Sequence, residues 1–206
     1  ISMILGEPKP SYYPGYVVGG NHYNHEDFRL RGYKQYWLKE VEATDDNGKP
    51  RAATTIRPLP RGTKFSGTIR YKNLTEAELG LLLWCLRLEK GCYQSVGMAK
   101  PYGYGRMRLT IDAIKEFEAP ALYDSGSFLV SDTKSDAAGV EEYIKKYCDY
   151  AEQHLADLAP IKENNPLRDF FFMKTSIRTP NEMCYMSLKE YRFKAALPSV
   201  QDYSRA

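Results

Sequence analysis

Residues 64–72 alternate between apolar and polar positions. Phe65, Ile69 and Tyr71 share one side of an extended chain with a glycine, and the other side carries cations and hydroxyls (Lys64, Ser66, Thr68, Arg70 and Lys72). A period of two is typical of a half-buried β-strand. Residues 106–113 alternate in the same way, with Arg106 and Arg108 on the polar side. The pattern therefore predicts two strands, each with a basic outer face.

A helix is predicted between these strands. Thr75 and Glu78 have the spacing of a capping box at its start. Apolar residues then recur at helical intervals (Leu79, Leu82, Leu83 and Leu86), and Gly91 is placed to end the helix. The order strand–helix–loop–strand, clearest over residues 63–114, indicates an α+β fold and one half of a ferredoxin-like unit.

The later part of the chain has a helical pattern. One apolar stripe runs from Val140 to Leu158 and ends before Pro160, Asn165 is a candidate N-cap of a second helix, and Ser187 with Glu190 forms another capping-box pattern. We expect residues 1–118 to form the α+β domain and residues 119–206 to form a mainly helical C-terminal appendage.

Composition narrows the class of protein. The 206 residues, 27% of them charged, can bury a sizeable core, and no apolar run approaches the roughly 20 residues that cross a membrane. The four cysteines (Cys85, Cys92, Cys148 and Cys184) form no C-x-x-C pair. This spacing favours buried or incidental thiols in a reducing cytoplasm over disulfides or a metal site. We expect no cofactor and no membrane partner.

Charge is distributed unevenly, although the formal net charge is only +3. No acid lies between Asp46 and Glu76, where seven cations occur (Lys49, Arg51, Arg57, Arg61, Lys64, Arg70 and Lys72), whereas residues 112–157 are rich in acids. Such asymmetry indicates one surface suited to a polyanion.

A glycine-rich segment, residues 97–106, follows the helix. Gly97, Gly103 and Gly105 permit close approach to the main chain, whose N–H groups can bind an anion. Cations (Lys100 and Arg106) and tyrosines (Tyr102 and Tyr104) accompany them. The segment has neither the P-loop nor the dinucleotide-binding spacing, so ATP and NAD are not expected. A tight connection whose glycines only allow packing is the alternative.

Three segments together resemble the RAMP superfamily of CRISPR-associated proteins, particularly those of type III systems. They are residues 59–67, residues 73–79 and the glycine-rich residues 97–105, with weaker similarity in residues 31–37 and 185–190. The resemblance implies a fold like the RNA-recognition motif that binds CRISPR RNA beside other Cas subunits. One departure is that no amphipathic helix is evident before residue 64. Either that half is degenerate, or the chain is the C-terminal portion of a longer protein.

The leading hypothesis is an RNA-binding subunit of a CRISPR–Cas effector ribonucleoprotein. Strand cations would follow the phosphates (Lys64, Arg70, Lys72, Arg106 and Arg108), the Gly97–Gly105 main chain with Lys100 would hold the backbone, and Tyr102 and Tyr104 would stack on bases.

Two alternatives stay open. Some RAMP proteins are metal-independent endoribonucleases that process precursor CRISPR RNA, and His22 and His25 would then be the candidate catalytic groups. In the RAMP nucleases the glycine loop lies near the C-terminus. About half of this chain follows the glycine segment, so the resemblance favours the guide-binding class over these nucleases. The other alternative is a protein–protein interaction module of the same complex.

Overall fold

The computed structural model describes residues 17–18, 26, 28–30, 32–33, 35–41, 56–116, 133–135, 137–179, 182, 193 and 199–201. The chain divides into two compact units. The first comprises Ile1–Thr63, Ser95–Arg106 and Met173–Ala206, and the second comprises Lys64–Gln94 and Met107–Phe172. This division cuts across the boundary at residue 118 that the sequence suggested. Each unit is described by itself below.

The described residues combine helices with short two-stranded sheets. Strand β1 (Val17–Val18) pairs antiparallel with β2 (Arg29–Leu30). Strands β3 (Gln94–Ser95) and β4 (Arg106–Met107) pair with each other, and β5 (Ile114–Glu116) pairs antiparallel with β6 (Thr133–Ser135). The helices are α1 (Glu76–Arg87), α2 (Ala137–His154) and α3 (Asn165–Thr175).

Helix α1 begins as its sequence predicts. The Thr75 N–H donates to a Glu78 carboxylate oxygen at 2.7 Å, the Thr75 hydroxyl donates to the same oxygen, and the Glu78 N–H donates back to that hydroxyl at 3.3 Å. These bonds lower the pKa of Glu78 below its ordinary value, because they stabilise the carboxylate. The predicted capping box is therefore confirmed. The end of the helix differs, since α1 stops at Arg87 with Leu88 as its C-cap, before Gly91.

Helices α1 and α2 build the core of the second unit. Leu79, Leu83 and Trp84 of α1 pack with the apolar stripe of α2 (Val140, Ile144, Tyr147 and Ala151), joined by Ile114 of β5. The two helices approach so closely at Gly80 that a Cβ there would lie 2.8 Å from the carbonyl carbon of Tyr143 and closer still to its oxygen. An absent side chain thus sets the spacing between the helices.

Polar contacts flank this core. Arg87 forms an ion pair with Glu141 that lowers the pKa of that carboxylate, and the Lys146 ammonium donates to Glu76 at 2.6 Å. The Trp84 indole, whose ring centroid lies 5.6 Å from those of Tyr147 and Phe171, donates to Glu89 at 2.6 Å.

Residues of helices α2 and α3, which the sequence analysis assigns to a C-terminal appendage, pack in or against the core of the second unit. Helix α2 supplies half of the α1–α2 core, and Leu167 and Phe171 of α3 pack against the same core. The cap of α3 also falls one residue earlier than predicted, because the Asn164 side chain accepts the Leu167 N–H at 3.1 Å. The capping-box pattern at residues 187–190 lies outside the described residues.

Both predicted long strands are wrong. Residues 64–72 belong to no helix or strand, and each of them is exposed. Within residues 106–113 only Arg106 and Met107 form a strand, and it pairs with β3 across the glycine loop. Alternation in sequence indicates the side-chain pattern of a strand, but a strand forms only where another strand is available to pair with it. The ferredoxin-like fold as a whole stays a prediction.

Candidate nucleic-acid interface

The glycine-rich segment is the loop of the β3–β4 hairpin, in the first unit. The Val96 N–H donates to the Gly105 carbonyl at 2.8 Å and closes the loop. Gly97, Gly103 and Gly105 all have positive φ, between 77° and 85°, and Ala99 is also left-handed at 56°. The glycines are thus required by the path of the chain, independently of any ligand.

Most N–H groups in the second half of this loop are used internally. Lys100–Tyr102 form one turn of 3-10 helix, and the N–H groups of Tyr102 and Tyr104 donate to the Ala99 carbonyl at 3.0 and 3.3 Å. The Gly103 N–H donates to the Lys100 carbonyl at 3.0 Å. These three donors therefore do not form the open anion-binding nest that the sequence suggested. Residues 96–98 are the exposed part of the loop before this turn.

Gly103 is buried where the loop packs against the main chain of residues 39–40. A Cβ on Gly103 would lie 2.7 Å from the Lys39 carbonyl oxygen and closer still to that of Glu40. A Cβ on Gly105 would meet Val96 within the hairpin, whereas one on Gly97 would have no atom within 4 Å. Packing thus accounts for Gly103 and Gly105, as the alternative interpretation of this segment expected.

Four of the predicted RNA-binding residues line one small cavity. Lys100, Gly103, Tyr104 and Arg106 surround a space of about 10 Å³ together with Trp37, Leu38, Lys39 and Ser95. Such a space has room for about one water molecule. Three of the lining residues are cations, and none is an acid.

Lys39 is a member of this cluster that the sequence analysis missed. It is only 3% exposed, and its main chain forms a parallel bridge with Arg178. The Arg178 N–H donates to the Leu38 carbonyl, and the Glu40 N–H donates to the Arg178 carbonyl, both at 2.8 Å. No local signal distinguishes Lys39 from an exposed lysine, because its burial depends on a residue far along the chain.

Cations in the first unit lie over aromatic rings. The Lys100 ammonium lies 5.9 Å from the centroid of the Tyr36 ring and donates to the Gly97 carbonyl, and the Arg178 guanidinium lies 5.6 Å from Trp37. Such contacts hold a cation in place while keeping its charge. Lys100, Tyr102, Tyr104 and Arg106 are all half-buried.

The remaining predicted cations belong to the second unit. Lys64, Arg70 and Lys72 lie in the exposed segment before α1, and no turn or bend interrupts residues 64–72. Arg108 is exposed as well, with its guanidinium 4.7 Å from the centroid of Tyr93. Because residues 57–75 contain no acid, this stretch has a uniformly positive character.

The candidate catalytic histidines, His22 and His25, lie outside the described residues. His154 lies at the last turn of α2, where its ring stacks on Tyr150 with centroids 4.4 Å apart and its Nδ1 lies 2.9 Å from the Tyr150 carbonyl oxygen. These contacts give His154 a structural role at the end of a helix.

The three cysteines that the structure describes do not form a second candidate site. Cys92 is buried, Cys148 is half-buried, and Cys85 is exposed. Desolvation raises the pKa of both Cys85 and Cys148, which keeps them as thiols at neutral pH. Cys184 lies outside the described residues. Among the residues that the structure describes, no group of three or more His, Cys, Asp or Glu side chains could hold a metal ion.

No protein-family model matches the sequence, and no curated protein matches it significantly. Within the described part of the chain, no helix has the length and apolar character needed to cross a membrane.

Proposed function

We propose that this protein is an RNA-binding subunit of a CRISPR–Cas effector ribonucleoprotein that holds CRISPR RNA. The proposal starts from the resemblance of residues 59–67, 73–79 and 97–105 to RAMP proteins. The observation that carries it is the exposed, acid-free segment before α1, residues 57–72, in which every residue is accessible.

The charge and exposure of this segment suit a sugar-phosphate chain. It carries five cations (Arg57, Arg61, Lys64, Arg70 and Lys72), and no turn or bend interrupts residues 64–72, which contain the last three. Cations on an accessible, extended chain can neutralise successive phosphates and release their counterions. Phe65 is 76% exposed and offers a flat apolar ring on which a base can stack.

The β3–β4 loop supports the proposal through a second group of cations. Lys39, Lys100 and Arg106 line one cavity in the first unit without an acid among its lining residues. Residues 96–98 of the loop are exposed. In the proposal this loop offers RNA a positive potential and an exposed main chain. Gly103 has a structural role, because it packs against the main chain of residues 39–40.

The test is a salt series of RNA binding. Fluorescence anisotropy with labelled single-stranded RNA measures the affinity between 50 and 300 mM salt for the wild type and for a variant carrying Lys64→Ser, Arg70→Ser and Lys72→Ser. If each cation meets one phosphate, the slope of log affinity against log salt decreases by about 2 units. A matched control carries Lys90→Ser, Lys145→Ser and Lys162→Ser, which remove the same charge from other exposed positions.

Two results would contradict the proposal. One is binding that does not change with salt, and the other is an equal loss of affinity in the two charge-matched variants. Reversing the loop charges with Lys100→Glu and Arg106→Glu gives an independent check, and we expect at least a tenfold loss of affinity. The fluorescence of Trp37, which lines the same cavity, reports whether this variant keeps its fold.

A protein-interaction module is the second candidate, and the exposure of Phe65 and Ile69 favours it. Large apolar side chains that are exposed close together can mark a binding surface. Purification of the protein with other subunits and without nucleic acid would support this candidate. An ultraviolet absorbance ratio typical of a ribonucleoprotein would instead support the RNA-binding subunit.

A further inference from the structure

Residues 64–72 combine the side-chain pattern of a strand with exposure of every residue, which among the large apolar side chains is greatest at Phe65 and least at Tyr71. Phe65 and Ile69 are 76% and 57% exposed, and they alternate with Lys64, Ser66, Thr68, Arg70 and Lys72. Among the residues that the structure describes, none forms a strand with this segment. A chain of this kind presents main-chain donors and acceptors that another strand can pair with.

The C-terminal end of the segment is fixed to a helix, which favours pairing with another strand. It leads directly into Thr75, whose capping box fixes the start of α1, and α1 packs on α2 through Leu79 and Leu83. One end of the segment is therefore anchored to the core of the second unit. Anchoring lowers the entropy lost when a partner strand aligns with it.

Charge decides which kind of strand fits. If two copies of the segment paired antiparallel about Thr68, Lys64 of each copy would lie opposite Lys72 of the other, and like charges directly opposite each other are unfavourable. A strand that bears carboxylates on the same face would instead form cross-strand ion pairs. Its apolar residues would cover Phe65 and Ile69 on the other face.

We propose that residues 64–72 accept, by β-strand addition, an acidic edge strand of another protein in which carboxylates alternate with apolar residues. Main-chain hydrogen bonds supply affinity in this mode, and alternate side chains supply specificity. Because Lys64, Arg70 and Lys72 also serve RNA in the proposed function, the strand and RNA compete for this segment. Only this competition rests on the proposed function, and strand addition does not.

The probe is a disulfide-cyclised hairpin peptide whose outer strand alternates glutamate with valine. A hairpin is used because an isolated pair of strands is only marginally stable, whereas addition to a hairpin makes three strands. Anisotropy of the labelled peptide measures binding to the full chain, and amide hydrogen exchange reports on residues 64–72. We expect exchange of alternate amides in this range to slow at least tenfold.

Matched variants separate strand addition from simple charge attraction. We expect a hairpin with lysine in place of glutamate to bind at least tenfold more weakly, because its charge repels the segment. We expect the same loss for hairpins that are N-methylated at every second outer amide, in either register, because they lack main-chain donors. In the protein, Phe65→Ser with Ile69→Ser is expected to weaken binding tenfold. The control, Val96→Ser with Met98→Ser, removes exposed apolar side chains elsewhere and is expected to leave binding unchanged.

Several results would overturn the inference. They are equal binding of the N-methylated hairpins, or exchange in residues 64–72 that the peptide does not slow; if RNA slows this exchange and the peptide does not, RNA is the occupant. If the peptide binds and RNA does not, strand addition stands and the proposed function fails. If RNA binds and the peptide neither binds nor displaces it, the inference fails and the proposed function stands.

Discussion

Glycine has two different roles within the β3–β4 loop, and single substitutions distinguish them. Gly97 and Gly103 have nearly the same φ, 84° and 85°, so alanine at either position incurs a similar backbone strain of about 1–2 kcal/mol. Only at Gly103 would the new Cβ also overlap the main chain of residues 39–40. We therefore expect Gly103→Ala to cost about 2 kcal/mol more in free energy of unfolding than Gly97→Ala.

The two tryptophans allow this difference to be measured. Trp37 belongs to the first unit and Trp84 to the second, so urea unfolding followed by Trp37 fluorescence in a Trp84→Phe background reports on the unit that contains the loop. Equal unfolding free energies for the two alanine variants would show that Gly103 is not held against residues 39–40.

Sequence could predict the need for glycine in this loop but not the reason at each position. Positive φ is a local property, and clustered glycines indicate it. The burial of Gly103 and of Lys39 depends on contacts between segments far apart in the chain, including the bridge from Lys39 to Arg178. The spacing of residues within one segment does not predict such long-range contacts.

At the scale of the element, the capping box of α1 makes its stability depend on pH. The pKa of Glu78 is lowered in the folded protein, so the stabilisation is complete above the unfolded pKa of about 4.3 and is lost as the pH falls through the folded pKa. We expect Thr75→Ala to cost about 1 kcal/mol at pH 7 and less at pH 3, because below the unfolded pKa the wild type progressively loses the two bonds that the Glu78 carboxylate accepts.

Urea unfolding at pH 7 and pH 3, followed by Trp84 fluorescence in a Trp37→Phe background, checks this expectation. Ser66→Ala, an exposed hydroxyl substitution outside the helix, is the control. A cost for Thr75→Ala that is the same at both pH values would contradict the role of the Glu78 carboxylate.

The contact between α1 and α2 reverses the usual effect of alanine in a helix. Replacing a helical glycine with alanine normally stabilises a helix by about 1 kcal/mol. At Gly80 the added Cβ would overlap the Tyr143 carbonyl group, so we expect Gly80→Ala to lower the unfolding free energy by about 2 kcal/mol instead. Thermal or urea unfolding measures the sign, with exposed Leu81→Ala as the control. A stabilised Gly80→Ala variant would show that the helices can separate at this point without penalty.

Helices were predictable here to a degree that strands were not. The capping box at Thr75 and the α2 stripe of Val140, Ile144, Tyr147 and Ala151 are local patterns, and the structure confirms both. Residues 64–72 carry an equally regular pattern, but a strand requires a second segment, and none of the described residues provides it. The sequence thus predicted the alternation of apolar and polar side chains. It could not predict strand pairing, because local patterns do not identify the partner segment.

At the scale of the whole molecule, the uneven charge distribution connects the fold with the proposed function. The exposed segment of residues 57–72 has five cations and no acid, whereas acids of α1 and α2 form ion pairs with Arg87 and Lys146. These exposed acids beside the helical core are thus partly neutralised by neighbours, while the cations of the segment remain accessible. In the proposed function, this segment would therefore attract a polyanion.

Accessibility of this segment predicts a specific pattern of proteolysis. Trypsin needs an exposed, extended chain, so we expect cleavage after Lys64, Arg70 and Lys72 well before cleavage after Arg87, which lies in α1 and is half-buried. Single-stranded RNA is expected to slow cleavage at the first three sites at least fivefold at low salt, and the protection is expected to disappear at 0.5 M salt. Mass spectrometry of timed digests identifies each cut. Protection of these sites that persists at high salt would point to an apolar contact rather than to phosphate binding, and equal cleavage with and without bound RNA would place the RNA elsewhere on the protein.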